Sequence, residues 1–195
     1  MSHKFAELVF LWSFVALVGC STIQVTHTAR SSIEQQLLVS SLERALLALD
    51  TRSLEGKTVS IDFYGLTPDK DFAKEFCTAW LQAQHVKFPV DGGKAQLHLK
   101  IFAPALGVDQ GGAFIGVPSV TVPILGFTTP EVSVFKSVTY QGRSMVQIFV
   151  FDAASGQFID QIPVGSGDAY YGDYTILVFI HYTRSDMDYP DAPRK

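Results

Sequence analysis

Few side chains in this 195-residue chain stand where they could do covalent chemistry. There are two cysteines, Cys20 and Cys77. A cysteine thiolate is a far better nucleophile at neutral pH than a hydroxyl. Four histidines lie beyond residue 20: His27, His85, His98 and His181. No two of them share H-x-H or H-x-x-x-H spacing and there is no H-E-x-x-H, so no metal site is predicted. His85 follows Cys77 by about two helical turns, too far for a nucleophile–base hydrogen bond along one helix. Val164-Gly165-Ser166-Gly167-Asp168 sets a serine among glycines without the spacing or the strand–turn–helix context of a nucleophile elbow, and reads as a turn. Asp186-x-Asp188 lacks the glycine and distal glutamate of a calcium loop. Asp168, Tyr170, Tyr171 and Asp173, with Tyr174 beyond them, form a candidate polar aromatic groove for a sugar or peptide. No catalytic residue is assigned.

Cys20 is the residue with a specific context. Lys4 opens the chain, and Leu8 to Val18 is apolar apart from Ser13. Such a run fits the core of a signal peptide, about 7–15 residues, and is well short of the ~20 that span a bilayer as a helix. It ends in Leu17-Val18-Gly19-Cys20. This resembles the lipobox of bacterial lipoproteins: an aliphatic residue, a small or aliphatic one, a small one, then cysteine. The resemblance implies cleavage between Gly19 and Cys20, diacylglycerol on the Cys20 sulfur and an acyl chain, typically palmitate, on the new amine. No other cofactor is expected. The competing reading, a membrane anchor or buried helix with Cys20 as an ordinary small residue, fits the short run less well. One acyl chain holds a protein marginally, at ~0.8 kcal/mol per buried methylene, whereas two or three hold it stably. Ser21 is not the aspartate that marks inner-membrane retention in enteric-type lipoproteins, so the resemblance points to the outer membrane, facing the periplasm. An acylated Cys20 leaves Cys77 without a disulfide partner, and Cys77 then reads as a small core residue. A reactive thiol is the lesser alternative.

Around these residues the composition is that of a folded domain. Apolar residues make up 47% of the chain and charged residues 17%, the opposite of a disordered balance. The net charge of −4 comes without a Lys/Arg cluster, which excludes nucleic acid as an expected partner. The division that follows is a signal peptide over 1–19, an acylated cysteine and tether over 20–30, a single α+β domain over 31–184 and a loose tail over 185–195.

Within the domain, Ser31-Ser32-Ile33-Glu34 fits a capping box and opens a helix over 31–50 with a broad apolar stripe. Val59, Ile61 and Phe63 alternate with polar residues as a strand. Thr67-Pro68-Asp69 starts a second helix, with Phe72, Phe76, Ala79, Trp80 and Ala83 on its buried face, ending near His85. Gln96 to Ala103 is a second strand. Strands are also predicted over 131–140, 143–151 and 157–162, with Gln141-Gly142 and the FDAASGQF stretch as turns. Tyr174 to Tyr182 is apolar enough for a strand covered on both faces. The fold class expected is α+β, two helices packed on a mixed, mostly antiparallel sheet of about six strands.

Gln110 to Pro130 carries no charged side chain. Its prolines prevent a spanning helix, and residues 113–127 are apolar on both parities, unlike a bilayer-crossing strand. Three readings stay open: a loop or irregular edge strand over the core, a docking surface for another protein, or contact with the membrane. For docking, the candidate residues are Phe114, Ile115, Val117, Val122, Ile124, Leu125 and Phe127.

Beyond the lipobox, the stretch THTARSSIEQQLL, the turn FDAASGQF and Thr183-Arg184-Ser185-Asp186 after a hydrophobic strand resemble small uncharacterised bacterial lipoproteins. At the level of the fold the layout is similar to curli-secretion-type lipoproteins, whose resemblance implies pores built from two membrane hairpins per chain. The sequence offers room for one, at 110–130. The function expected is that of a membrane-tethered periplasmic lipoprotein, a non-enzymatic binding or scaffold module for another envelope protein. The runner-up is a subunit of an oligomeric outer-membrane secretion channel. Third is an enzyme or binder acting on cell-wall glycan or peptide, marked by a cleft converging Asp168, Asp173 and His98 or His181. Intact mass spectrometry of the protein from its native membrane should show a chain that begins at Cys20 and carries lipid. A chain with residues 1–19 attached and no lipid overturns the tether.

Overall fold

The computed structural model of the chain describes residues 30–90, 93–122 and 126–187, so Cys20, the tether up to residue 29 and the end of the tail lie outside the described residues. The elements run α1 (Ser32–Leu47), a single 3-10 turn (Arg52–Leu54), β1 (Val59–Gly65), α2 (Lys70–Ala83), β2 (Leu97–Val117), β3 (Thr121–Val122), β4 (Phe127–Thr128), β5 (Val132–Asp152), β6 (Phe158–Ile176) and β7 (Ile180–Ser185). This is the α+β class read from the sequence. A five-stranded sheet has the order β1-β2-β5-β6-β7, and β3 pairs with β4 in a separate two-stranded sheet. β1 and β2 are parallel, from Val59 beside Leu97 to Gly65 beside Ala103. β6 and β7 are antiparallel, from Tyr171 beside Ser185 to Ile176 beside Ile180.

β2, β5 and β6 are long, at 21, 21 and 19 residues. Their residues cluster into two compact units. The lower unit holds the described residues of 28–109, 141–170 and 186–187; the upper unit holds Gln110–Tyr140 and Tyr171–Ser185.

The lower unit carries the apolar core. α1 begins at the expected capping box: Ser31 Oγ accepts from the Glu34 N–H (3.3 Å), and Glu34 Oε2 accepts from the Ser31 N–H (2.7 Å). Leu38, Leu42, Ala45, Leu46 and Leu49 then pack with Ala73, Cys77 and Leu81 of α2 onto Val59, Leu99, Ile101, Val146, Ile148, Val150 and Ile162 of the sheet. Phe72, Ala79 and Ala83 depart from the expected buried face and are exposed, because the helix turns Ala73, Cys77 and Leu81 inward; Phe72 stacks on Phe76 at 5.9 Å. Thr67 caps a turn rather than the helix, its Oγ1 accepting from the Asp69 N–H (3.3 Å). α2 stops at Ala83, and the chain reverses through His85 with φ of 62°.

Two expected turns are strand instead. Gln141-Gly142 lies inside β5, and Val164–Asp168 lies inside β6. The glycines there serve packing. A Cβ at Gly142 would lie 2.5 Å from the Leu37 carbonyl oxygen, and one at Gly165 or Gly167 would run into the backbone of Ala45 or Ser41. Between them Ser144 and Ser41 share a buried hydroxyl hydrogen bond of 2.7 Å, and Ser41 Oγ also donates to the Leu38 carbonyl (3.0 Å). A third expectation also fails: Tyr174 to Tyr182 is not a doubly covered strand but a hairpin turning at residues 177–179.

If the glycines are the seat of α1, Gly167→Ala should lower the unfolding free energy by about 1–3 kcal/mol through overpacking. Gly107→Ala in β2, where a Cβ meets nothing within 4 Å, is the control and should change it by less than about 0.5 kcal/mol. Denaturant titration followed by far-UV circular dichroism checks both.

Candidate functional site

In the upper unit β2 and β5 run in opposite directions, since Gly111 lies by Thr139, Gly112 by Ser137 and Gly116 by Val132. The backbone N–H of Ala113 donates to Ser137 Oγ (3.1 Å). Beyond β2 the chain makes its own small hairpin, where Thr121 Oγ1 and Thr128 Oγ1 share a hydrogen bond (3.0 Å) and the Thr129 N–H donates to the Val120 carbonyl (2.9 Å). The charge-free segment is therefore the end of β2 plus this hairpin. Of the candidate docking residues, Phe114 is half-buried, and Ile115, Val117 and Phe127 are exposed. Val122 lies in β3, and Ile124 and Leu125 lie outside the described residues.

The second hairpin, β6–β7, was not foreseen. Alternate residues segregate cleanly. On one side Tyr174 stacks on Tyr182 at 4.8 Å, with Ile176 beside Ile180. On the other, Asp173 Oδ1 accepts from Tyr171 Oη (3.0 Å) and Thr183 Oγ1 (2.8 Å), and Thr175 Oγ1 bonds His181 Nδ1 (2.9 Å). The turn is Leu177-Val178-Phe179, exposed at 52%, 49% and 74%, and the Leu177 N–H donates to the Val134 carbonyl (2.9 Å). Among the described residues of this unit only Ser133, Ser137 and Gly172 are buried, so it has no buried apolar side chain there.

The candidate polar groove divides between these settings. Tyr171 and Asp173 meet in the upper unit. Asp168 lies in the lower unit, where its carboxylate takes Arg143 Nε (3.0 Å) and its carbonyl takes Arg44 Nη1. Tyr170 is there too, its N–H donating to Asp186 Oδ1 (2.7 Å). Asp186 is gripped by Arg44 through its carboxylate (2.9 Å) and its carbonyl (2.6 Å). The residue following β7 is thus clasped to α1, so Ser185 and Asp186, expected in a loose tail, are held; the rest of that tail from residue 188 lies outside the described residues.

One polar cluster escaped the sequence reading. Ser60 on β1 and His98 on β2 are register partners, with Ser60 Oγ 2.9 Å from His98 Nδ1 and Asp62 Oδ2 3.1 Å from His98 Nε2. With His98 neutral, its Nε2–H donates to Asp62 and its Nδ1 accepts from Ser60. That is the order of a nucleophile relay, but acyl transfer also needs converging oxyanion donors and a substrate cleft. The neighbours here are Lys100 over the Phe151 ring (4.9 Å) and the stacked Tyr64 and Phe102 rings (5.0 Å) on a sheet face. Two polar strand faces at equal register gave the only sequence signal for it.

Among the described residues there is no group of three or more His, Cys, Asp and Glu side chains that could hold a metal. No helix there is long and apolar enough to cross a membrane. No protein-family model matches the chain, and neither does any curated protein.

Cys77 is buried against the core, and burial pushes its thiol up to about 12 from an ordinary 9.0. The folded protein should therefore resist iodoacetamide at pH 8 and react once unfolded. Because the folded-state value is the higher one, stability is undiminished below about pH 9 and is lost as pH rises from 9 toward 12. Cys77→Ala should remove that part of the slope in urea titrations; an equal slope in both proteins would contradict it.

Proposed function

We propose that the chain is a non-enzymatic envelope protein, tethered to a membrane at an acylated Cys20, that works as a binding or scaffold module through its upper unit. One observation carries this. Among the described residues the upper unit buries no apolar side chain, yet it holds stretches of β2, β5 and β6 and the whole of β7. A sheet with no buried apolar face has little to stabilise it alone. Among the described residues its outer strands also lack a partner along one edge. β7 is last in the sheet order, and β1 covers β2 only as far as Ala103. Open edges are templates for another strand, and main-chain pairing with side-chain pockets on alternate residues is a common way to capture an extended segment. Phe114 and Ile115 lie on the open stretch of β2 and would supply the side-chain part.

The channel reading gains one specific support: among its described residues the upper unit has two hairpins, β3–β4 and β6–β7, rather than the one expected at 110–130, and β6–β7 alternates apolar and polar. Length weighs against it, since β7 has six residues and a bilayer-crossing strand needs about nine to eleven.

Photo-crosslinking in intact cells from positions 113 and 115 separates the readings. Capture of one discrete foreign protein is the outcome expected for a docking module. A ladder of multiples of the chain would favour the channel. Crosslinks to neither would remove the upper unit from both. Deleting 118–129 should leave the lower unit folded by circular dichroism.

A further inference from the structure

β1 is first in the order of the main sheet, and among the described residues its outer edge is covered only at the start. There the Val59 N–H donates to the Lys87 carbonyl and the Lys87 N–H to the Lys57 carbonyl, both at 2.8 Å. Along a strand the backbone groups of alternate residues face the same side, so those of Ile61, Phe63 and Gly65 also face outward. No backbone group takes them among the described residues. Ile61 and Phe63 pack against the core yet are only half-buried, as an uncovered edge requires.

This edge ends in a pocket of about 450 Å³ at the carboxyl end of β1, where open parallel sheets commonly take ligands. Phe63, Tyr64, Leu66, Phe102 and Pro104 give it apolar walls, and Lys70, the first residue of α2, is the only charged residue in its lining. Leu66 is 98% exposed, the most exposed of the large apolar residues described. The Lys70 ammonium makes no ion pair among the described residues. Asp69 beside it is taken by Arg30 (2.5 Å) and the Thr67 hydroxyl (3.1 Å), and Asp62 on β1 by His98 Nε2 (3.1 Å).

Apolar walls with one unopposed cation suit an apolar group that ends in a carboxylate. The free strand edge beside them suits a main chain. A polypeptide C-terminus supplies both. We infer that the corner of β1 and α2 captures the C-terminus of another polypeptide. Its last residues pair with the outer edge over Ile61–Gly65, its terminal apolar side chain enters the pocket, and its carboxylate meets Lys70 Nζ. The added strand runs parallel to β1, because both must end at the pocket. A fatty acid could fill the pocket but would leave the edge unpaired. The site belongs to the lower unit, so it stands apart from strand capture in the upper unit and from acylation at Cys20.

The test is fluorescence anisotropy with the full chain in detergent and a short fluorescein-labelled peptide of alternating threonine and valine, ending in leucine with a free carboxylate. Saturable binding is expected. Amidating the peptide's C-terminus should weaken it roughly tenfold or more, the loss of a charge-assisted hydrogen bond, and so should Lys70→Gln. The two changes together should weaken it little more than either alone, which a merely structural role for Lys70 would not produce. N-methylation of one alternate set of peptide amides should abolish binding, and of the other set should leave it intact. Decanoate, with a carboxylate and a tail but no main chain, should displace the labelled peptide far less well than unlabelled peptide does. A dissociation constant no better than ~1 mM overturns the proposal. So does equal binding of the amidated peptide, or tolerance of both N-methylated sets. Displacement by decanoate as effective as by peptide would make the pocket a fatty-acid site and overturns it too.

Discussion

The arrangement depends on how closely α1 lies against the sheet. Gly142, Gly165 and Gly167 leave no room for a side chain beneath Leu37, Ala45 and Ser41, and the buried hydroxyl pair in the contact, Ser41 with Ser144, satisfies itself at 2.7 Å. Glycine within a strand normally weakens it, through entropy and the loss of a packing side chain. Here the loss is offset by burial of Leu42, Ala45, Leu46 and Leu49 against the core. The same close approach brings Arg44 within reach of Asp186 and of the Asp168 carbonyl, and so fixes the chain where it leaves β7. A larger residue at any of the three glycines would therefore disturb both the core and that clasp.

With α1 held at the glycines, β5 and β6 are not obliged to turn there and run on as single strands into the upper unit. The two units then obey different physics. In the lower one apolar burial supplies the driving force, and polar contacts only have to be satisfied. In the upper one the visible glue is hydrogen bonding: the strand ladder, Ala113 to Ser137, Tyr171 and Thr183 to Asp173, Thr175 to His181. Hydrogen bonds exchanged with water contribute only about 0.5–1.5 kcal/mol each. A unit built that way is stabilised further by anything that binds its folded form. The faces and edges left uncovered among its described residues are where such a binder would act.

Periodicity was enough to place the helices and the buried strands, because α1, α2, β1 and the first half of β2 each repeat their apolar residues at the spacing of the element. The capping box at Ser31 and Glu34 was local and so fully legible. The failures share a cause. Glycine is a punctuation mark when read locally, and nothing within ten residues of Gly142, Gly165 or Gly167 announces a helix more than a hundred residues earlier in the chain. The opposite error befell 174–182: no glycine, proline or asparagine marks a turn there, so a continuous apolar run looked like one strand. The Ser60–His98–Asp62 cluster was invisible for a third reason. Parallel register joins residues 38 apart in sequence, and no spacing rule spans a crossover helix.

The partners of the acidic residues also weigh on what chemistry is reasonable. Asp168 faces Arg143, Asp186 faces Arg44, and Asp173 accepts two hydroxyls, so each carboxylate of the candidate groove already has a structural partner. The thiol of Cys77 is perturbed in the wrong direction for a nucleophile, toward the protonated form, and lies in the core. The features left without an internal explanation are therefore apolar: the β2 edge, the exposed residues 115–117 and the turn at 177–179. Such groups suit contact with another surface, and the proposed binding role rests on them.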